Sequence, residues 1–278
     1  MHTYDRNYFK IALPAALEGL FMILLASTDL IMVGALGALS IAAVSIFLQP
    51  RLILLCFSRS LASSVTLLVS KKAGAGDTIG TADIMKKSLT LCAIFMGLLH
   101  ILFYIFLDDI FYLMGANDVF MPRPPASGPI ALAAVYVTSL TLILQAVQLG
   151  YGRTSVIMKT NVCGNVVNLA LNALLIFGFG PIPSLGVTGA AIGTLVSTIF
   201  TLGWTAWILK NESFFSGGSY LPDRAYFHRI MPILLSILSE QGSERVGMVL
   251  FGRMAAGLGT IPFAVHSICM NICDVCFG

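Results

Sequence analysis

Six stretches of about 20 mostly apolar residues run along this chain, at 11–33, 46–70, 88–107, 130–150, 160–179 and 189–209. A seventh, more polar, spans about 230–254, and an eighth begins near Phe263 and runs towards Gly278. A bilayer core about 30 Å thick is crossed by roughly 20 helical residues rising about 1.5 Å each. Strands of a membrane barrel would alternate polar and apolar residues over about ten positions, and these stretches do not. The expected fold is therefore all-α, a polytopic membrane helical bundle. Composition agrees: 57% of residues are hydrophobic and only 10% charged, where soluble domains carry about 25% charge. Such a chain is too apolar for disorder, and its net charge of +3 is too small to point to nucleic acid.

Turn chemistry separates the spans. Lys71-Lys72-Ala73-Gly74-Ala75-Gly76-Asp77 follows span 2, Pro122-Arg123-Pro124-Pro125 precedes span 4, and Gly178-Phe179-Gly180-Pro181 follows span 5. One set of connections holds Arg6, Lys10, Lys71, Lys72, Lys86, Lys87, Arg153, Lys159, Lys210, Arg224 and Arg229, while the opposite set holds Arg123. The positive-inside rule then puts the N-terminus of a multi-pass protein in the cytoplasm. The first span is too long for a cleaved signal sequence and contains Glu18 and Asp29. Cys269, Cys273 and Cys276 lie in an apolar helical stretch and read as small hydrophobes, not as a cluster ligand set. No phosphate-binding loop is present, so no ATP-driven step is expected, nor any enzymatic activity, cofactor or bound metal.

The chain also resembles itself at an offset of 222 residues. Glu18 matches Glu240, Met32 matches Met254, Leu36-Gly37 matches Leu258-Gly259, and Ser45-Ile46 matches Ser267-Ile268. A shift of six spans keeps the two copies in the same sense through the membrane, as in parallel transporter repeats. A full second copy would need about four more spans, so the chain is expected to be a fragment or a truncated product.

Polar residues within spans are costly and usually functional. An ionised Asp at a helix centre costs about 2.5–3.5 kcal/mol on insertion scales. Asp29 is such a residue. Removal from water favours its neutral acid and a bound cation favours its carboxylate, so one group could exchange a proton for a cation. The competing reading places Asp29 at the outer headgroups, solvated, because Gly34 is close. Glu18 lies eleven residues earlier; eleven residues make three turns plus roughly 20°, so the two carboxylates share one face about 16 Å apart. Glu18 either lies on a common path with Asp29 or hydrogen-bonds backbone in a vestibule. Span 5 carries Asn161, Asn165, Asn168 and Asn172 on one face, as cation ligands or as packing hydrogen bonds. Span 7 carries Glu240, Gln241 and Glu244, with Arg245 and Arg253 beyond; Glu244 could simply pair with an Arg. Arg59 in span 2 either pairs with an internal carboxylate or snorkels.

These residues resemble a known family. Ala12-Leu13-Pro14 with Ser27-Thr28-Asp29-Leu30-Ile31-Met32-Val33-Gly34 is similar to the first helix of the MATE multidrug and toxic-compound extrusion transporters. Gly74-Ala75-Gly76-Asp77 resembles the turn after the second helix. Gly164-Asn165-Val166-Val167-Asn168 with Leu171-Asn172 resembles the fifth, and Gly189-Ala190-Ala191-Ile192-Gly193-Thr194 the sixth. Ser239-Glu240-Gln241 and Leu258-Gly259-Thr260 resemble the seventh helix and the start of the eighth. The likeness covers essentially the whole chain and looks nearest to bacterial DinF-like members.

The resemblance implies a twelve-helix, two-lobe transporter. Residues 1–210 would form the six-helix N-terminal lobe, 211–229 a cytoplasmic inter-lobe linker, and 230–278 helix 7 and a truncated helix 8 opening the C-terminal lobe. It implies secondary active efflux of cationic or amphiphilic compounds by proton- or sodium-coupled antiport with alternating access, by a protein that is monomeric when full length. It implies a cation or proton site from Asp29, Asn168, Asn172 and Thr194, and a substrate or proton role for Glu240; the positions of Glu18, Asn165, Gln241 and Glu244 in their spans add them to a substrate or proton path. Several members have Asp where this chain has Asn172, a departure that weakens a sodium site. Alternatives are a lipid-linked oligosaccharide flippase of the same superfamily, which calls for a cationic cavity, and a non-transporting truncated membrane protein.

Overall fold

The computed structural model describes residues 13, 16–21, 24, 27–29, 31–107, 109–110, 127–178, 183–212, 214 and 217–277, with side chains given outside 38–49, 260, 267 and 271–277. The described residues between 13 and 34 are helical and form α1. Seven further helices follow: α2 (Ala38–Gly74), α3 (Thr78–Ile105), α4 (Ser127–Gly150), α5 (Thr154–Phe177), α6 (Gly186–Asn211), α7 (Arg224–Gly257) and α8 (Thr260–Phe277). The described structure is all-helical, as expected, and five of the helices are long and apolar enough to cross a membrane: Pro50–Gly74, Thr78–Ile105, Ser127–Gly150, Thr154–Phe177 and Gly186–Asn211. Pro14 of span 1 lies outside the described residues.

Helix α4 is the hub and packs against α2, α3, α5 and α6. Leu54, Leu61 and Val65 of α2, Met85, Cys92 and Met96 of α3, and Ile143 and Val147 of α4 are fully buried where the three meet. The buried stripe of α3 recurs at helical spacing (Met85, Ser88, Cys92, Met96), while Ile94, Leu98, Ile101 and Ile105 stay exposed. Lipid solvates such exposed Leu and Ile as well as a protein core does, so packing and polar contacts decide which face turns inward. Small residues set the spacing of α5 and α6. A Cβ on Gly164 would strike Thr201, one on Gly189 the backbone of Leu175, and one on Gly193 the carboxamide of Asn172.

Helix starts follow capping, not hydropathy. Span 3 reads as beginning at Ser88, but α3 starts ten residues earlier, at Thr78. Gly76 takes φ +70°, a conformation that suits glycine. Asp77 then caps α3, with Oδ1 accepting from the Gly80 N–H at 2.7 Å and Oδ2 from Lys72 Nζ at 2.7 Å. Lys86 and Lys87, read as connection residues, are therefore helical. Lys86 donates to the Gly217 carbonyl at 2.6 Å, and Lys87 lies between Asp83 (2.7 Å) and Asp223 (3.2 Å). α7 likewise starts at Arg224, inside the segment read as a linker, because Asp223 caps it by accepting from the Tyr226 N–H at 2.9 Å.

The 222-residue offset reappears as geometry. Gly37 has φ 106° before α2 and Gly259 has φ 113° before α8. The Leu36 and Gly37 N–H groups donate to Val33 and Gly34, and those of Leu258 and Gly259 donate to Ala255 and Ala256, the same pattern 222 positions on.

Candidate functional site

The polar residues of α1 and α5 meet in two layers. In the first, Asn172 Nδ2 donates to Asp29 Oδ1 at 3.0 Å. In the second, Asn161 Nδ2 donates to Glu18 Oε1 in a short bond. Both pairs are 143 residues apart in sequence. The eleven-residue spacing on α1 is thus repeated on α5, and the two helices run parallel in one register. Asn172 is 2% exposed and Asn168 is buried, while Asp29 and Glu18 are partly buried.

The Asp29 layer reaches α6. The carboxamide of Asn168 lies against Asp29, Asn172 and Thr194. With its nitrogen towards Asp29, Nδ2 donates to Oδ2 at 3.1 Å and its oxygen accepts from the Thr194 N–H at 3.2 Å. With its oxygen towards Asp29, it can bond only a protonated carboxyl. It then accepts from Asn172 Nδ2 at 3.2 Å, and its own Nδ2 donates to Thr194 Oγ1 at 3.3 Å. Asn172 Oδ1 is buried without a hydrogen-bond partner, pressed towards Gly193. Its turned-away carbonyl leaves Asp29 facing an N–H donor. Among the described residues no three His, Cys, Asp or Glu side chains group as metal ligands.

The Glu18 layer reaches α4 instead. Gln145 Nε2 donates to Asn161 Oδ1 at 2.6 Å, which makes a Glu18–Asn161–Gln145 chain across three helices. Gln145 is missing from the expected site. It is one of two carboxamides in an apolar span, with Gln148, and only its bond to Asn161 of α5 marks it out. Asn165, partly buried, lies on α5 between the two layers. Arg51 of α2, also unremarked in the sequence reading, lies within electrostatic reach of Asp29.

The acidic face of α7 does not join this cluster. Glu240 and Glu244 are exposed and Gln241 is partly buried. Glu244 pairs with its neighbour Arg245 at 3.0 Å, the local ion pair that was one of its two readings. Arg59 is exposed on α2, near the charges of Arg245 and Glu244.

The chain as a whole is similar to known proteins. The MatE family profile aligns with residues 14–174, more than half of the chain. This chain belongs to the MatE family. Family members are membrane transporters and not enzymes. Over 99% of its length the chain is 25% identical to a probable multidrug resistance protein NorM of Rhizobium meliloti, and it covers 60% of that protein. It is 27% identical to the FAD transporter of Shewanella oneidensis over 73% of its own length and 45% of the relative's. Its fold superposes on a MOP superfamily transporter from Pyrococcus furiosus, whose structure report describes a binding pocket of reverse polarity. The TM-score is 0.82 at 22% identity, over 96% of this chain and 59% of that one. This MatE chain therefore spans about 60% or less of the length of these relatives.

Proposed function

We propose that this MatE chain forms the proton-responsive part of a secondary active exporter of cationic or amphiphilic compounds in a bacterial inner membrane, with its N-terminus in the cytoplasm. The observation behind this reading is the Asp29–Asn172–Asn168–Thr194 network, which joins α1, α5 and α6 through one titratable group. With Asp29 charged, both carboxamides can donate to it and hold α1 against α5. Protonation removes an acceptor from this network and loosens the hold of α5 on α1. A cation bound beside Asp29 would replace the proton, and proton return would expel it. Substrate and coupling ion then compete for one charge, as an antiporter requires. The coupling ion in this reading is a proton or a sodium ion.

The test is Asp29→Asn in this chain extended to the full length of its relatives. Efflux of a cationic dye from an efflux-deficient strain should fall to background while the protein's membrane level is unchanged. Efflux equal to the parent's would overturn the role. The 278-residue chain alone, in proteoliposomes, is expected to move no dye, because a central cleft needs both lobes.

A second reading has its own observation. Arg51 and Arg59 on α2 and Arg245 on α7 place three guanidinium groups along one seam. A cationic wall suits an anionic headgroup, as in a lipid-linked oligosaccharide flippase. The Shewanella relative, by its name, carries FAD, which bears phosphates. Asp29 and Glu244 lie within reach of these arginines and offset them, so export of cations remains the primary reading. Preference for an anionic over a cationic dye of equal size would reverse that order.

A further inference from the structure

A cavity of about 560 Å³ opens where α2, α3 and α7 converge, at the end of the bundle that collects the basic residues. Its volume lies within the ~300–1,000 Å³ typical of small-ligand sites. Four cations line it, Lys71, Lys72, Lys87 and Arg229, against two carboxylates, Asp83 and Asp223. The paired charges are already committed: Lys72 to Asp77, and Lys87 to both Asp83 and Asp223. Among the described residues no carboxylate lies within ion-pair distance of Lys71 or Arg229, and both are exposed at the cavity. The rest of the lining is apolar, with Leu68, Ile84 and Ile233 from the three helices.

Two cations without partners beside an apolar wall at the membrane face are what an anionic amphiphile needs. Basic pockets between membrane helices bind the phosphates of lipid headgroups, and each juxtamembrane Lys or Arg contributes about fivefold in affinity. A free phosphate ion would use the cations but leave the apolar wall uncovered. We propose that this cavity binds an anionic phospholipid, its phosphate held by Lys71 and Arg229 and its acyl chains laid along Leu68, Ile84 and Ile233. The site joins α2 and α3 to α7, so an occupying lipid braces the contact between the first six helices and the seventh. It is independent of the transported compound and of Asp29.

The test is native mass spectrometry of the purified 278-residue chain in detergent, titrated with phosphatidylglycerol and, separately, with phosphatidylcholine. Phosphatidylglycerol should bind at least tenfold more tightly. The double variant Lys71→Gln with Arg229→Gln should lose roughly 30-fold, two contacts at about fivefold each, while Lys71→Arg with Arg229→Lys keeps binding. The charge-matched pair Lys159→Gln with Lys210→Gln, at exposed positions outside the cavity, should leave it unchanged. Far-ultraviolet circular dichroism of every variant should match the parent's. Equal binding of the two lipids, an unaffected Lys71/Arg229 double variant, or an equal loss in the charge-matched control would overturn the proposal. Displacement of phosphatidylglycerol by millimolar inorganic phosphate would overturn the lipid assignment in favour of a free anion.

Discussion

The two copies of the internal repeat show the same turn and different fates for the same acid. α1–α2 and α7–α8 each turn through a glycine at positive φ, with matching backbone hydrogen bonds. Glu18 and Glu240 occupy the same register in the two copies. Glu18 is bonded by Asn161, which is bonded in turn by Gln145, whereas Glu240 is exposed. The turn depends on residues that are neighbours in sequence and on the chirality of L-amino acids. The environment of a membrane carboxylate depends on which distant helix lies against it. α5 supplies that helix for α1, and no described residue hydrogen-bonds Glu240.

The comparison can be broken most severely at Gly193. Gly193→Val would drive its side chain into the Asn172 carboxamide and part it from Asp29. We expect a loss of about 3 kcal/mol from overpacking, read as a lower thermal unfolding midpoint in detergent, together with loss of dye efflux in the longer context. Parent-like values for both would show that Asn172 does not need its position. Next come the shared turns. Gly37→Ala and Gly259→Ala should cost about 2 kcal/mol each, as expected for a side chain forced into a glycine-only conformation. Unequal costs would mean that the two turns are alike in shape only.

Smaller effects sharpen the contrast between the acids. Asn161→Leu strips Glu18 and Gln145 of a shared partner and should cost about 1–2 kcal/mol. Glu240→Leu, at an exposed site, should stay within about 0.5 kcal/mol of the parent. If the order of these two were inverted, Glu240 would have a partner of its own. The smallest effect is at the α3 cap. The Lys72 ammonium and the Gly80 N–H hold the Asp77 carboxyl below its ordinary range. A carboxyl held low in the folded state contributes stability that is present above its unfolded value and lost as pH falls through the folded one. The unfolding midpoint should therefore decline below about pH 4, and Asp77→Asn should flatten a small part of that decline.

Much of the bundle could be read from residues alone, and the exceptions are instructive. Five of the spans, and the turn at Gly74–Asp77, followed from hydropathy and from Gly and Asp signals. The start of α3 did not, because Asp77 caps the helix a full two turns before the chain becomes apolar enough to enter lipid. The asparagine face of α5 was legible from its spacing, and the structure sets Asn161 on Glu18 and Asn172 on Asp29. Gln145 and Arg51 were not singled out, since neither belongs to a run of like residues repeating along one helix face as the α5 asparagines do. Glu240, Gln241 and Glu244 looked as suggestive as the α5 stripe, yet they stand apart from it.

The amino-acid order by itself therefore determined the spans, the turns between them and the faces on which polar residues gather, because these depend on spacing, chirality and transfer from water to lipid. Only the tertiary structure decided which carboxylates have partners and which cations stand unpaired at the α2–α3–α7 cavity. Electrostatic and hydrogen-bond energies in a low-dielectric medium depend on groups within a few ångströms, and here those groups lie 143 residues away along the chain.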